Sequence, residues 1–463
     1  MRAAITLDPA SATPLQRQIY DEWRRGILTG RFRGGDRVPS TRDLARTLGV
    51  SRATATAAYE QLIAEGYLEA ARGSGTFVSR ELPDDLLRAG RGRARPAAAP
   101  PVSAEPRDSG GWVRFSSQWR PDLKEFPFAL WRRLLNRHLR GRRADLFDYC
   151  AIDGGYPPLR EEIAAYVARS RAVECGAGQV IVVNGSQQAL DLCARLLMQA
   201  GDPVAMENPG YQGARRIFEA RGVRLLPVRI DASGIAVSEI PAGARAVYVT
   251  PSHQFPTGVS MTVARRLELI EWARRNEAWI VEDDYDSEYR YSGPPLPAMQ
   301  GLAAGAPVIY VGTFSKVMFP GLRIGYLIAP RKLVPAFVRA KWLVDRQTPY
   351  LEQAALADFL REGHLERHIR RTRRIYGRRR AVLTESLTRH FGDGARCVGD
   401  AAGMHVLVRF LDPEVAARAA ARRVELASSA LYYMGKAPED EFVFGFAAVG
   451  ERSIREGVRR LAR

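Results

Sequence analysis

Apolar side chains recur at Leu15, Ile19, Trp23 and Ile27, one helical turn apart, and predict an amphipathic helix that ends before Gly30. Two shorter helices are expected next. Ser40 is placed to cap a segment carrying Leu44 and Leu48, with Asp43 at the capping-box position and Gly49 at its end. Ser51 is placed to cap ATATAAYEQLIAEG, whose Ala55, Ala58, Tyr59 and Leu62 make the inward stripe. YLEAARGSGTFV then predicts two short strands around a Gly-rich turn.

From 81 to 111 the periodicity stops and Pro, Ala, Gly and Arg dominate, which predicts a flexible basic linker between a small unit, 12–80, and a large one, 112–463. In the large unit short β-rich runs (QVIVV, PVAME, ARAVYVT, AWIVED, PVIYVG) alternate with helical patterns such as SQQALDLCARLLM and ARRLELIEWARRN. Strand then helix, repeated, predicts an α/β domain with a mainly parallel sheet. After about Leu333 the pattern turns helical and then mixed, as a smaller C-terminal subdomain would.

Composition sharpens the picture in two ways. With 463 residues and 46% hydrophobic content the chain exceeds one ordinary core, and its formal charge of +18 favours a polyanionic partner, nucleic acid first. The 4 cysteines include no CxxC pair, so neither a metal site nor a disulfide framework is predicted, in keeping with a reducing cytoplasm. The N-terminus has no apolar signal core and no run is apolar enough to span a bilayer, so no membrane partner is expected.

A helix, a tight turn at Gly49 and a second helix opening with Ser51, Arg52 and Thr54 is the arrangement that presents a recognition helix to base edges. Arg52 suits guanine, where arginine makes two hydrogen bonds; Ser51 and Thr54 suit phosphate or mixed contacts. Arg42 and the turn residues Arg72, Gly73 and Gly75 are placed to hold the DNA backbone or enter the minor groove. The order GDRVPSTRDLA, LGVSR, AYEQL, EGYL, GSGTFV closely resembles the GntR family of winged-helix regulators over residues 14 to 78. That resemblance implies binding of double-stranded operator DNA as a dimer, with Arg42, Ser51, Arg52, Thr54 and the wing from Arg72 to Thr76 as contacts.

Further on, TFSKVMFPGLRIGY sets Lys316 just after a strand, behind Ser315 and before Arg323. A lysine amine forms a Schiff base with the aldehyde of pyridoxal 5′-phosphate (PLP), and a nearby Ser and Arg suit the phosphate. VEDDYDSEY supplies a strand-end carboxylate for the ring nitrogen. Asp283 and Tyr285 share a face in extended backbone, so Asp283 is chosen over Asp284, with Tyr285 for the ring hydroxyl. NGSQQAL opens a helix straight after a strand, leaving the N–H groups of Ser186, Gln187 and Gln188 for a phosphate. ENPGY brings Tyr211, suited to stacking on the pyridine ring.

In order, GGYPPLREEIAAYVARSR, NGSQQAL, ENPGY, TPSHQFPTG, EDDYDSEYRY and TFSKVMFPGLRIGY make residues 115 to about 460 resemble the class I (fold type I) aminotransferases. The chain as a whole resembles the MocR group, which joins that fold to a GntR head. The resemblance implies Lys316 as the internal aldimine, Asp283 and Tyr285 as ring partners, Tyr211 as the stacking group, and Ser186, Gln187, Ser315 and Arg323 around the phosphate. It also implies a head-to-tail homodimer and a PLP-dependent transcription regulator that senses PLP or an amine or amino-acid effector.

The pattern departs from the enzymes at two places. Val443 stands where aminotransferases carry the arginine for the substrate carboxylate, and Phe255 where they carry Asn before Pro-Thr-Gly. The departures weigh against the alternative, a working aminotransferase with a DNA-binding head, although Arg409 or another arginine is available as a substitute. A third reading, an empty scaffold, gives no chemical reason for Lys316, Asp283 and Arg323 together.

Overall fold

The computed structural model describes residues 5, 7–9, 11, 13–71, 74–80, 82, 111–116, 120–141, 144–149, 153–293, 295–399 and 401–462. The proposed linker, apart from 82 and 111, and the wing residues Arg72 and Gly73 lie outside them. The chain divides into two compact units, Met1–Arg107 and Asp108–Arg463.

In the small unit, α1 (Leu15–Leu28), α2 (Thr41–Leu48) and α3 (Arg52–Ala64) precede the hairpin of β1 (Leu68–Ala71) and β2 (Gly75–Val78), paired antiparallel from Leu68↔Val78 to Ala71↔Gly75. This is a helix-turn-helix with its wing. Trp23 is wholly buried, with ring centroids 4.5 Å from Phe32 and 5.9 Å from Tyr59. Gly49 reverses the chain between α2 and α3 at φ 67°, a conformation that suits glycine. Ala55, Ala58, Tyr59 and Leu62 all face inward, as the stripe predicts.

The strands of the large unit are, in chain order, β3 (Val113–Arg114), β4 (Val180–Val183), β5 (Pro203–Asn208), β6 (Arg224–Asp231), β7 (Gly234–Ile235), β8 (Ala246–Val249), β9 (Trp279–Asp284), β10 (Val308–Thr313) and β11 (Gly325–Ile328). β4 to β11 form one eight-stranded sheet in the order β4-β11-β10-β9-β8-β5-β6-β7. Its centre, β10-β9-β8-β5-β6, is parallel; β11 runs against both of its neighbours, β10 and β4. β4, β8, β10 and β11 are buried along their whole length. Such continuous apolar runs belong to a sheet covered on both faces.

The two-residue alternation of β9 shows the layers. Ile280 packs into the cluster with Leu269 and Ile270 of the helix Val263–Arg275, whereas Val281 packs with Leu190 and Ala194 of the helix Ser186–Leu197. Further along the chain come β12 (Ala395–Val398), β13 (His405–Phe410), β14 (Val424–Glu425), β15 (Ala427–Ser428) and β16 (Glu441–Gly445). β12, β13, β16 and β15 make a four-stranded antiparallel sheet in the smaller subdomain, and β14 pairs with β3. The architecture is that of a fold type I aminotransferase joined to a winged helix.

Candidate cofactor site and DNA-reading head

Five strands, β4, β5, β8, β9 and β10, end on one cavity of about 770 Å³. Ligands of α/β sheets bind at such carboxyl ends, where loops and helix N-termini supply polar groups that the buried strands cannot. All eight residues singled out for the cofactor line this cavity: Ser186, Gln187, Tyr211, Asp283, Tyr285, Ser315, Lys316 and Arg323.

The alternation that separates Ile280 from Val281 continues to the end of β9 and separates the two aspartates. Asp283 faces the cavity; its Oδ2 accepts from the Tyr248 hydroxyl at 2.8 Å, and Oδ1 is buried with no hydrogen-bond partner. Burial pushes its carboxyl up to about 7, against the lowering effect of the Tyr248 bond. Asp284 points to the opposite side of the sheet. There its Oδ2 meets the Arg171 guanidinium at 2.7 Å and the Tyr310 hydroxyl at 2.7 Å. Of the two aspartates, only Asp283 lines the cavity.

Lys316 stands three residues beyond β10, and burial holds its amine below the ordinary lysine range against the raising effect of Asp286 and Asp283. Next to it, the Ser315 hydroxyl oxygen is buried without a partner. Gly185, at φ 80°, precedes the helix Ser186–Leu197, and a Cβ on it would lie 3.1 to 3.3 Å from the Arg323 guanidinium. Arg323 itself donates to the Asn184 carbonyl at 2.9 Å. The first helical N–H groups, of Ser186 and Gln187, have no acceptor within the helix. Gln188 differs from expectation: its N–H already donates to the Gly185 carbonyl at 3.2 Å, because the first turn closes on its own cap.

An unpartnered carboxylate oxygen, an unpartnered hydroxyl, a guanidinium beside a glycine cradle and a helix N-terminus fit the ring nitrogen and phosphate of PLP. Tyr211 takes a hydrogen bond from Gln187 Nε2 at 2.8 Å and meets Phe255 edge-on at 5.8 Å. The Tyr285 hydroxyl lies 2.9 Å from His253 Nδ1.

Sequence reasoning missed Tyr248, Thr250, Thr313 and Tyr432, which also line the cavity. Tyr248 and Thr250 sit at the end of an ordinary apolar strand, and only the pairing of β8 with β9 brings Tyr248 to Asp283. Glu207 at the end of β5 was missed too. Its Oε2 accepts from Thr250 N at 3.1 Å and Thr250 Oγ1 at 2.8 Å, and burial pushes its carboxyl up to about 7. Val443 is wholly buried in β16 between Leu407 and Ala427, and Arg409 is held by Glu441. Neither lines the cavity.

In the small unit Arg42, Ser51 and Arg52 are exposed. Ser51 Oγ accepts from Thr54 N at 3.1 Å and so caps α3, and it lies 2.8 Å from Thr54 Oγ1, which ties the two hydroxyls together. Gly75 opens β2 at φ 111°, with Arg37 Nε 3.0 Å from where its Cβ would stand, and Thr76 pairs with Ala70. Exposed Arg37, beside the wing, is a cation that the sequence reading passed over. Among the described residues no helix is long and apolar enough to cross a membrane.

Comparison with known proteins places both units. Residues 15–78 match the family of bacterial regulatory proteins, gntR family, and residues 122–461 match aminotransferase class I and II. Over its full length the chain is similar to the probable rhizopine catabolism regulatory protein MocR of Rhizobium meliloti, 41% identical over 99% of this chain and 95% of that protein. It is also similar to the pyridoxine biosynthesis transcriptional regulator PdxR of Corynebacterium glutamicum, 32% identical over 97% of this chain and 96% of that one. Among solved structures, Pyrococcus horikoshii kynurenine aminotransferase superposes with a TM-score of 0.71 at 28% identity, over 77% of this chain and 94% of that chain. Both of these full-length relatives bear the names of regulatory proteins. A gntR-family head followed by an aminotransferase-like unit, matched from end to end by such regulators, makes this chain a member of the MocR family of transcription regulators.

Proposed function

We propose that this chain is a PLP-dependent transcription regulator in which Lys316 holds the cofactor and an effector, PLP itself or an amine captured by it, alters how a homodimer engages operator DNA. The observation that carries the reading is the convergence of all eight candidate residues on one cavity, with Asp283 Oδ1 and Ser315 Oγ left unpartnered there. When bound, PLP supplies an aldehyde that a lysine amine captures as a Schiff base. Asp283 would hold the ring nitrogen, Tyr285 the ring hydroxyl, and Tyr211 the ring face. Ser186, Gln187, Ser315 and Arg323 would hold the phosphate.

In the head, Arg52 would read a base edge while Arg37 and Arg42 neutralise phosphates, with Ser51, Thr54, Arg72, Gly73, Gly75 and Thr76 alongside the duplex. A head-to-tail dimer would set the spacing of the half-sites. Effector and DNA need only favour different conformations for one to control the other. The names of the relatives, for pyridoxine biosynthesis and rhizopine catabolism, support the same two kinds of effector. Val443 and the Arg409–Glu441 pair weigh against a working aminotransferase.

The test is an absorbance titration of purified protein with PLP against a panel of amines and amino acids, repeated with Lys316→Ala. The expected result is a visible band in the wild type that one amine shifts without releasing a keto product. The band should be absent in Lys316→Ala. An unchanged spectrum in the variant overturns the site, and steady conversion to a pyridoxamine form makes the protein an enzyme.

A further inference from the structure

Behind Tyr285 the cavity wall holds a buried cluster that the cofactor reading leaves unused. His253 and Asp286 are each 1% exposed. His253 Nδ1 lies 3.1 Å from both carboxylate oxygens of Asp286 and 2.9 Å from the Tyr285 hydroxyl. Its other ring nitrogen, Nε2, is buried with no hydrogen-bond partner. The ring is wedged against the backbone, since a Cβ on Gly403 would lie 1.9 Å from His253 Cε1.

These contacts decide where the imidazole proton sits. A proton on Nε2 would be a buried donor with nothing to receive it, and a doubly protonated ring would carry the same orphan. A proton on Nδ1 instead meets the Asp286 carboxylate, a charge-assisted bond. With Nδ1 protonated, Tyr285 has no lone pair to donate to on that side. Its oxygen shares the N–H, and its own proton turns toward the cavity that Tyr285 lines.

The surrounding groups leave this assignment intact. Asp286 Oδ2 also accepts from Met404 N at 3.3 Å. His405 lies 4.7 Å from His253, tilted by 48°, with its own Nε2 3.2 Å from the Pro256 carbonyl, and burial holds it well below the usual histidine range, which disfavours its charged form. Asp283, Asp284, Glu207, Lys316 and Tyr291 are the other ionisable groups around Tyr285 and Asp286.

We propose that Asp286 and His253 are a positioning pair that fixes Tyr285 as a hydrogen-bond donor aimed into the cavity, toward the phenolic oxygen of a pyridoxal ring. The identity of that acceptor rests on the cofactor reading; the direction of the Tyr285 proton does not. A donor at the phenolic oxygen favours its anionic form, which lowers the pH at which the lysine-bound cofactor loses its proton. Asp286→Asn removes the anion that keeps the proton on Nδ1. With the charge gone, an amide NH2 facing the ring favours a bare Nδ1 and offsets part of the cost of the orphaned Nε2 proton, and a bare Nδ1 draws the Tyr285 proton away from the cavity.

Two measurements test the pair. Nitrogen NMR of ligand-free, histidine-labelled protein, with His253→Gln to assign the signal among the 6 histidines, should show the His253 proton on Nδ1. A proton on Nε2 overturns the proposal. With PLP bound, the visible band is titrated against pH in wild type, Tyr285→Phe, Asp286→Asn and the double variant. Asp286→Asn should move the midpoint up, as Tyr285→Phe does, by roughly tenfold in proton affinity or about one pH unit. The double variant should move it no further. A wild-type midpoint in Asp286→Asn, or additive shifts, overturns the pair. A wild type with no visible band brings down the cofactor reading, while the NMR result still decides the direction of Tyr285.

Discussion

The Tyr248 hydroxyl donates to Asp283 Oδ2 at 2.8 Å and so secures one oxygen of a buried carboxylate whose other oxygen, Oδ1, has no partner. Tyr248 holds the group in place; the open oxygen is what a protonated ring nitrogen would take.

Asp283→Asn should therefore weaken PLP retention by about 10- to 100-fold, the loss of one hydrogen bond to a charged group, with little loss of fold. Asp284→Asn should do the reverse. It strands the buried Arg171 guanidinium, and breaking such a pair costs about 3–5 kcal/mol of stability. Equilibrium dialysis with PLP and denaturant melts of both variants check the contrast; equal effects on both measures would refute it.

The raised carboxyls give stability a pH dependence of definite sign. Asp283 goes from an ordinary 3.8 to about 7, so the folded chain keeps a proton that the unfolded chain has already released. That contribution is present below about pH 4 and is lost as pH rises through about 7. Glu207 acts in the same direction, also reaching about 7. These two carboxyls should lower the melting temperature of ligand-free protein over this interval, against the buried histidines His368 and His405, which act in the opposite sense, and Asp283→Asn should remove its share of the fall. A slope unchanged by the substitution would contradict the cause given.

Arg52→Ala should weaken operator binding and relax the preference at one base pair by about 1–3 kcal/mol. Binding to operator and to scrambled duplex, compared by fluorescence anisotropy at fixed salt, separates base reading from phosphate contact. Equal losses on both duplexes would reduce Arg52 to a phosphate contact.

Ser51→Ala should destabilise the head by about 1 kcal/mol even without DNA, since Ser51 Oγ is the cap that accepts from Thr54 N. Hydrogen exchange in α3, measured against the wild type, reports this directly. Unchanged protection of the first turn would mean that the cap contributes nothing.

How much of this was legible in the sequence follows from the range of the forces involved. The helices of the head show in the spacing of Ile19, Trp23 and Ile27 because one face meets one core. Asp283 and Tyr285 were readable because strand geometry alternates locally. Tyr248 was hidden, since its meaning depends on which strand lies beside β9, and β8 and β9 are joined through the helix Val263–Arg275. His253 and Asp286 lie far apart in sequence and carry no motif that announces their 3.1 Å contact. The free oxygens of Asp283 and Ser315 were likewise invisible, because a missing partner is a property of the packed chain alone.

The cavity draws its wall from five separate strand ends, so no single strand with its following loop and helix makes it alone. A molecule seated there bridges β4, β5, β8, β9 and β10 at once and binds only when the sheet is fully assembled. Its binding free energy is therefore added to the cooperative folding of the whole large unit rather than to any one loop. A cell short of that molecule would hold a less stable regulator as well as an unliganded one, so supply of the ligand would govern how long the protein lasts along with what it does.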